Sequence, residues 1–115
     1  MAEYSLVHIG LNAADPEEAL KTAQLFGLAF GLEVKPGNSS VFAGTLIEVM
    51  KPPYRGTHGH IALGTPDVAA AKAELEAKGF TFAEETAKYN EDGTMKFIYL
   101  SGEFGGFAVH LLCKK

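Results

Sequence analysis

The chain has 115 residues, 47% apolar and 21% charged, with a formal net charge of −4. That length fits one small domain and excludes a second full one, while the ordinary composition excludes a disordered or low-complexity chain. Ten scattered cations against 14 acidic residues leave no basic footprint for nucleic acid; no stretch approaches the roughly 20 apolar residues that span a bilayer, Met1 to Ser5 does not open as a signal peptide, and the single Cys113 forms no internal disulfide, so no membrane partner and a cytoplasmic location are expected.

Leu6 to Asn12 alternates, with Leu6, His8 and Gly10 on one side and Val7, Ile9 and Leu11 on the other, which predicts a strand with two distinct faces. Asp15 as N-cap, Pro16 at the first helical position and Glu18 in capping-box spacing predict that a helix follows. Its apolar stripe is Ala19, Ala23, Phe26 and Phe30, and Gly31 is the expected stop. Three short strands are expected at Glu33 to Pro36, Ser39 to Ala43 and Thr45 to Met50, separated by Gly37-Asn38 and Gly44. Lys51 to Thr57, with Pro52, Pro53 and Gly56, reads as a connection.

The pattern then restarts. His8-Ile9-Gly10-Leu11 returns as His60-Ile61-Ala62-Leu63, and in each copy an Asp follows the His by seven residues, Asp15 and Asp67. Thr65-Pro66-Asp67 opens a second helix, with Val68, Ala71 and Leu75 at helical spacing and Gly79 closing it. Phe80 to Glu85, Lys88 or Met95 to Leu100, and Phe107 to Cys113 are the expected strands, with turns at Asn90 to Gly93 and Gly105-Gly106. Each half therefore reads βαβββ. Stacked arrays need three or more repeats, so two copies predict a closed pseudo-twofold pair. The expected organisation is one domain over residues 1–115, with module one at about 4–50, a linker at 51–57 and module two at about 58–115.

Ile47-Glu48-Val49 ends the first copy as Val109-His110-Leu111 ends the second, each with a metal-capable side chain between two aliphatics. His8 shares its face with Gly10 and His60 shares its face with Ala62, small neighbours that leave space for the imidazoles. With paired halves, His8, Glu48, His60 and His110 line one concave surface. Imidazole and carboxylate together suit one divalent transition metal such as Zn, Ni, Co, Fe or Mn better than Ca or Mg. A lone strand His is more often an ordinary core or surface residue, so the repetition carries this expectation. His58 is read as a connector or supporting residue. Arg55, Lys51 and Tyr54 are candidates to hold an anionic group of a ligand, with an ordinary solvated loop as the rival reading. Leu25 and the Phe residues at 26, 30, 80, 82 and 97 are read as core.

The paired βαβββ units with these four side chains resemble the vicinal oxygen chelate (glyoxalase/bleomycin resistance/dioxygenase) superfamily over nearly the whole chain. The run from Gly37-Asn38-Ser39-Ser40 through Ile47-Glu48-Val49-Met50-Lys51 to Gly59-His60-Ile61-Ala62 is similar, more specifically, to the glyoxalase-like domain fused to some bacterial 2-keto-3-deoxy-6-phosphogluconate aldolases. The resemblance implies an α+β fold in which two modules form a half-open barrel, a metal held by His8, Glu48, His60 and His110, a small-molecule ligand and a homodimer. Glyoxalase I, the epimerases and the extradiol dioxygenases carry Glu where this chain has His110, which argues against lactoylglutathione lyase activity. The expected function is lyase or isomerase chemistry by metal-assisted proton transfer on a small keto or hydroxy acid, with Glu48 as base and a water on the metal as the alternative base. A non-catalytic ligand-binding or regulatory module and a metal-dependent dioxygenase are the alternatives.

Overall fold

The computed structural model describes residues 1–115. Elements run in the order β1 (Ser5–Asn12), α1 (Pro16–Phe30), β2 (Val34–Pro36), β3 (Ser40–Ala43), β4 (Ile47–Met50), β5 (Gly59–Thr65), α2 (Val68–Ala77), β6 (Phe82–Tyr89), β7 (Met95–Leu100) and β8 (Phe107–Cys113). Both halves are βαβββ.

Local chemistry sets the helix ends. The Asp15 carboxylate accepts from the Glu18 amide at 2.8 Å while the Glu18 carboxylate accepts from the Ala14 amide at 3.0 Å, two orphan donors satisfied around one N-terminus. Gly31, at φ +68°, ends α1 with its N–H on the Gly27 carbonyl, a left-handed turn that only glycine adopts cheaply. Asp67 caps α2 in the same way, accepting from the Ala70 amide at 3.0 Å.

The strands form one open eight-stranded sheet in the order β2-β3-β4-β1-β5-β8-β7-β6. Each half packs its helix on its own strands: α1 with Ala13, Val41, Ala43 and Val49, and α2 with Phe82, Ile98, Leu100, Val109 and Leu111. The opposite face is left for the polar side chains. β1 and β5 meet antiparallel at the centre, pairing Ile9 with Ile61, Gly10 with His60 and His8 with Ala62. β4 runs parallel to β1, opposing Glu48 to Gly10, and β8 runs parallel to β5, opposing His110 to Ala62. A pseudo-twofold axis therefore passes between Ile9 and Ile61 and relates Glu48 to His110.

The helical stripe ends earlier than its spacing predicts. Ala19 and Ala23 are fully buried, but Leu25 and Phe30 are 66% and 70% exposed. The buried contacts of α1 with the sheet are made by small residues, Ala19 and Ala23. The strand expected at Phe80 to Glu85 instead runs Phe82–Tyr89, with register shifts between Ala83 and Tyr89. No helix is long and apolar enough to cross a membrane.

Candidate metal centre

Residues opposed in register share a face of the sheet, so the pairings fix two rows across it. One row reads Phe42, Glu48, Gly10, His60, Ala108 from β3 to β8; the next reads His8, Ala62, His110, Tyr99 from β1 to β7. In each row a small residue separates two large polar ones. An imidazole can lean over that gap, which brings the four candidate ligands together. Gly10 is indispensable to this: a Cβ built there would fall 2.6 Å from His60 Nε2 and closer still to Cε1 and Nδ1.

His8 Nε2 lies 3.2 Å from His60 Nε2, and Glu48 Oε1 lies 3.1 Å from His60 Nε2 and 3.3 Å from His8 Nε2. His110 completes the group, one ring nitrogen of each His lying within 4.8 Å of the others. His60 and His110 are buried, at 3% and 6% exposure. Glu48 is oriented from behind by Ser40, whose hydroxyl donates to Oε2 at 2.8 Å.

Burial pushes the His110 imidazole down to about 4, and the neighbouring His60 and His8 push it the same way. His8 is also lowered, by burial against the opposing pull of Glu48. Burial raises Glu48, but hydrogen bonds from His60 and Ser40, with the electrostatic pull of the neighbouring His8 and His60 rings, outweigh it and hold the carboxyl below its ordinary value. The lowered His8 and His110 and the lowered Glu48 favour neutral imidazole beside carboxylate, the protonation state that metal binding requires.

The donors fit a divalent transition metal. Nitrogen and oxygen ligands at roughly 2.1 Å from one ion stand about 3.0–3.4 Å apart at octahedral or tetrahedral angles, the spacing found here between His8, His60 and Glu48. Nδ1 of both His60 and His110 is buried without a hydrogen-bond partner, while for His60 it is Nε2 that meets the other donors. His8, Glu48, His60 and His110 are the residues that would hold the ion.

The cluster floors a cavity of about 480 Å³. Its other walls were not foreseen as such. Tyr99 lies 4.7 Å from the His110 ring and Phe97 lies 5.6 Å from it, while Phe42 meets His8 at 5.8 Å. Phe97, read from the sequence as core, is a wall of this cavity, because β7 turns Phe97 and Tyr99 to the site and Ile98 and Leu100 to α2. Thr86 fixes Tyr99 by accepting its backbone N–H at 2.9 Å where β6 loses register. A sequence signal existed: Val41-Phe42-Ala43 and Ile98-Tyr99-Leu100 repeat the polar-or-aromatic-between-aliphatics pattern of the last strands.

The connecting loop closes one side. Asn12 holds it, accepting from the Tyr54 amide at 2.9 Å and donating to the Gly56 carbonyl at 2.9 Å. Tyr54 lines the cavity. Arg55 lies 5.3 Å over the Tyr99 ring and pairs with Glu85 at 3.3 Å. Lys51 donates to the Gly37 carbonyl and does not line the cavity. His58 is exposed, packs on Gly106 and Phe107, and stands apart from the cluster.

No protein-family model matches this sequence, and no curated protein does either. Solved structures do. A Streptomyces coelicolor methylmalonyl-CoA epimerase in complex with 2-nitronate-propionyl-CoA is similar at 20% identity and TM-score 0.64, over 94% of this chain and 92% of that one. A Mycobacterium tuberculosis methylmalonyl-CoA epimerase matches at 17% identity and TM-score 0.65, over 93% of this chain and 85% of that one. A hypothetical protein from Bacillus halodurans matches at 17% and 0.65, over 98% and 96%. At these identities the likeness is one of fold alone: this chain shares the open, glyoxalase-like module of these neighbours, which are themselves members of the vicinal oxygen chelate superfamily.

Proposed function

We propose that this chain binds one divalent transition metal through His8, Glu48, His60 and His110 and uses it for isomerase or lyase chemistry, moving a proton beside the carbonyl of a small keto or hydroxy acid. The observation that carries this reading is the convergence of His8 Nε2, His60 Nε2 and Glu48 Oε1 within 3.1–3.3 Å of one another on the floor of a cavity. Neighbours named as epimerases support the isomerase side of it. When bound, such an ion supplies Lewis-acid polarisation of a carbonyl, worth several kcal/mol in the transition state.

The chain supplies the rest. Glu48, the one carboxylate of the cluster and held below its ordinary pKa, is its proton acceptor. Ser40 keeps one carboxylate oxygen fixed, so the other stays turned to the cavity. Tyr54, Phe97 and Tyr99 wall the cavity and limit water around the proton in transit.

Solvent deuterium exchange into a panel of 2-keto and 2-hydroxy acids, using tag-free metal-loaded protein, tests the reading. Exchange is expected, and Glu48→Gln should lower its rate by roughly 10²–10⁴-fold. Binding without exchange or conversion would replace the enzyme with a ligand-binding module, and metal-dependent oxygen uptake would replace it with a dioxygenase. A homodimer belongs to the same proposal. Phe30 and Leu46, 70% and 51% exposed, border an apolar depression with Phe26 and Leu32 that a second copy would cover. A monomer by light scattering at high concentration would contradict it.

A further inference from the structure

The cavity above the ligand cluster is larger and less polar than a minimal keto acid needs. Its volume of about 480 Å³ is one that ordinarily holds a drug-sized molecule. Beyond the cluster the walls are Met50, Pro52, Tyr54, Phe97, Tyr99 and Leu112, with Ser39 and Lys96 as the polar members. Tyr99 meets Phe97 edge-on at 6.4 Å and Tyr54 at 6.1 Å, so three rings frame the space. Aromatic rings favour edge and offset contacts with another ring.

Two of the three cations near the cavity are engaged elsewhere. Lys51 is tied to the Gly37 carbonyl. Arg55 is paired with Glu85 and laid over Tyr99. Lys96 stands at the cavity, but strand alternation sends its side chain away from those of Phe97 and Tyr99. A divalent ion with three neutral imidazoles and the Glu48 carboxylate would carry one net positive charge, which one ligand carboxylate neutralises. A second carboxylate seated among the aromatic rings would be desolvated, with only the exposed Lys96 near it.

Resting on the metal-centre reading above, we infer that the ligand is a monoanionic 2-keto or 2-hydroxy acid bearing an aryl or comparably flat apolar group, seated against Tyr54, Phe97 and Tyr99. Its two vicinal oxygens face the cluster. Its ring fills the aromatic frame.

The test is calorimetric titration of the full-length protein, after zinc loading is confirmed by elemental analysis, with phenylglyoxylate, pyruvate and 2-oxoglutarate. Phenylglyoxylate should bind roughly tenfold or more tightly than either, the usual return on a filled apolar pocket. Tyr54→Ala, at a surface loop, should collapse the phenylglyoxylate-to-pyruvate ratio while leaving zinc stoichiometry intact. Equal or tighter binding of 2-oxoglutarate, lost in Lys96→Ala, would overturn the inference, as would failure of all three acids to bind the zinc protein. Failure to take up zinc would instead overturn the metal-centre reading, and the inference with it.

Discussion

Gly10→Ala changes one hydrogen for a methyl group and should disable the centre. The added carbon would fall 2.6 Å from His60 Nε2 and nearer to the rest of the ring, which is 3% exposed and cannot swing into solvent. Something must shift, and overpacking of this kind costs about 1–3 kcal/mol. For a domain of this size that is a fall in Tm of roughly 3–15 °C. Gly10 has an ordinary strand φ, so without the clash the same substitution should stabilise the chain by about 0.4–1 kcal/mol by restricting the unfolded state. The sign of the effect should therefore invert in a His60→Ala background. Chemical denaturation of the four metal-free proteins completes the cycle, and elemental analysis should show that Gly10→Ala alone no longer retains stoichiometric metal. Equal costs in the two backgrounds, or full metal occupancy in Gly10→Ala, would refute the steric origin.

Ser40→Ala leaves Glu48 Oε2 without its donor and should weaken metal affinity by about 10–100-fold in a competition titration with a chelator. His58→Ala should leave the metal in place, since His58 stands outside the cluster; a loss matching that of His60→Ala would assign the wrong imidazole. The metal-free protein should lose stability as the pH falls from 6.5 toward about 4, because His110 binds its proton near 6.5 when unfolded and near 4 when folded. Between those values the unfolded chain holds the extra proton, which costs the fold about 3 kcal/mol by the acid end of the window. The lowered Glu48 adds a loss of the same sign below pH 4.5, and a pH-independent denaturation midpoint from 7 to 4 would contradict both.

The repeat was legible because strand alternation places residues two apart on one face, so His8-Ile9-Gly10 and His60-Ile61-Ala62 each announce a polar group beside a small one. The cavity walls were not legible in the same way. An aromatic in a strand reads as core until the strand's two faces are assigned, and for Phe97 and Tyr99 that assignment comes from pairing with Leu112 and His110. Ser40 was hidden for the same reason: its partner Glu48 lies one strand over and two residues out of register. Leu25 and Phe30 fit an apolar stripe by spacing alone, but whether a stripe is covered depends on how far the sheet extends beneath it. Arg55 is a sequence candidate to hold an anionic group, with a solvated loop as the rival reading. Its guanidinium is placed by Glu85, thirty positions away, which local sequence does not reveal.

X-ray absorption spectroscopy of tag-free protein loaded with one equivalent of zinc or cobalt tests the central claim most directly. A first shell of nitrogen and oxygen at roughly 2.0–2.2 Å, with imidazole scattering that diminishes in His60→Ala, is the expected result. A shell of oxygen alone, or an unchanged spectrum in His60→Ala, would contradict the metal centre.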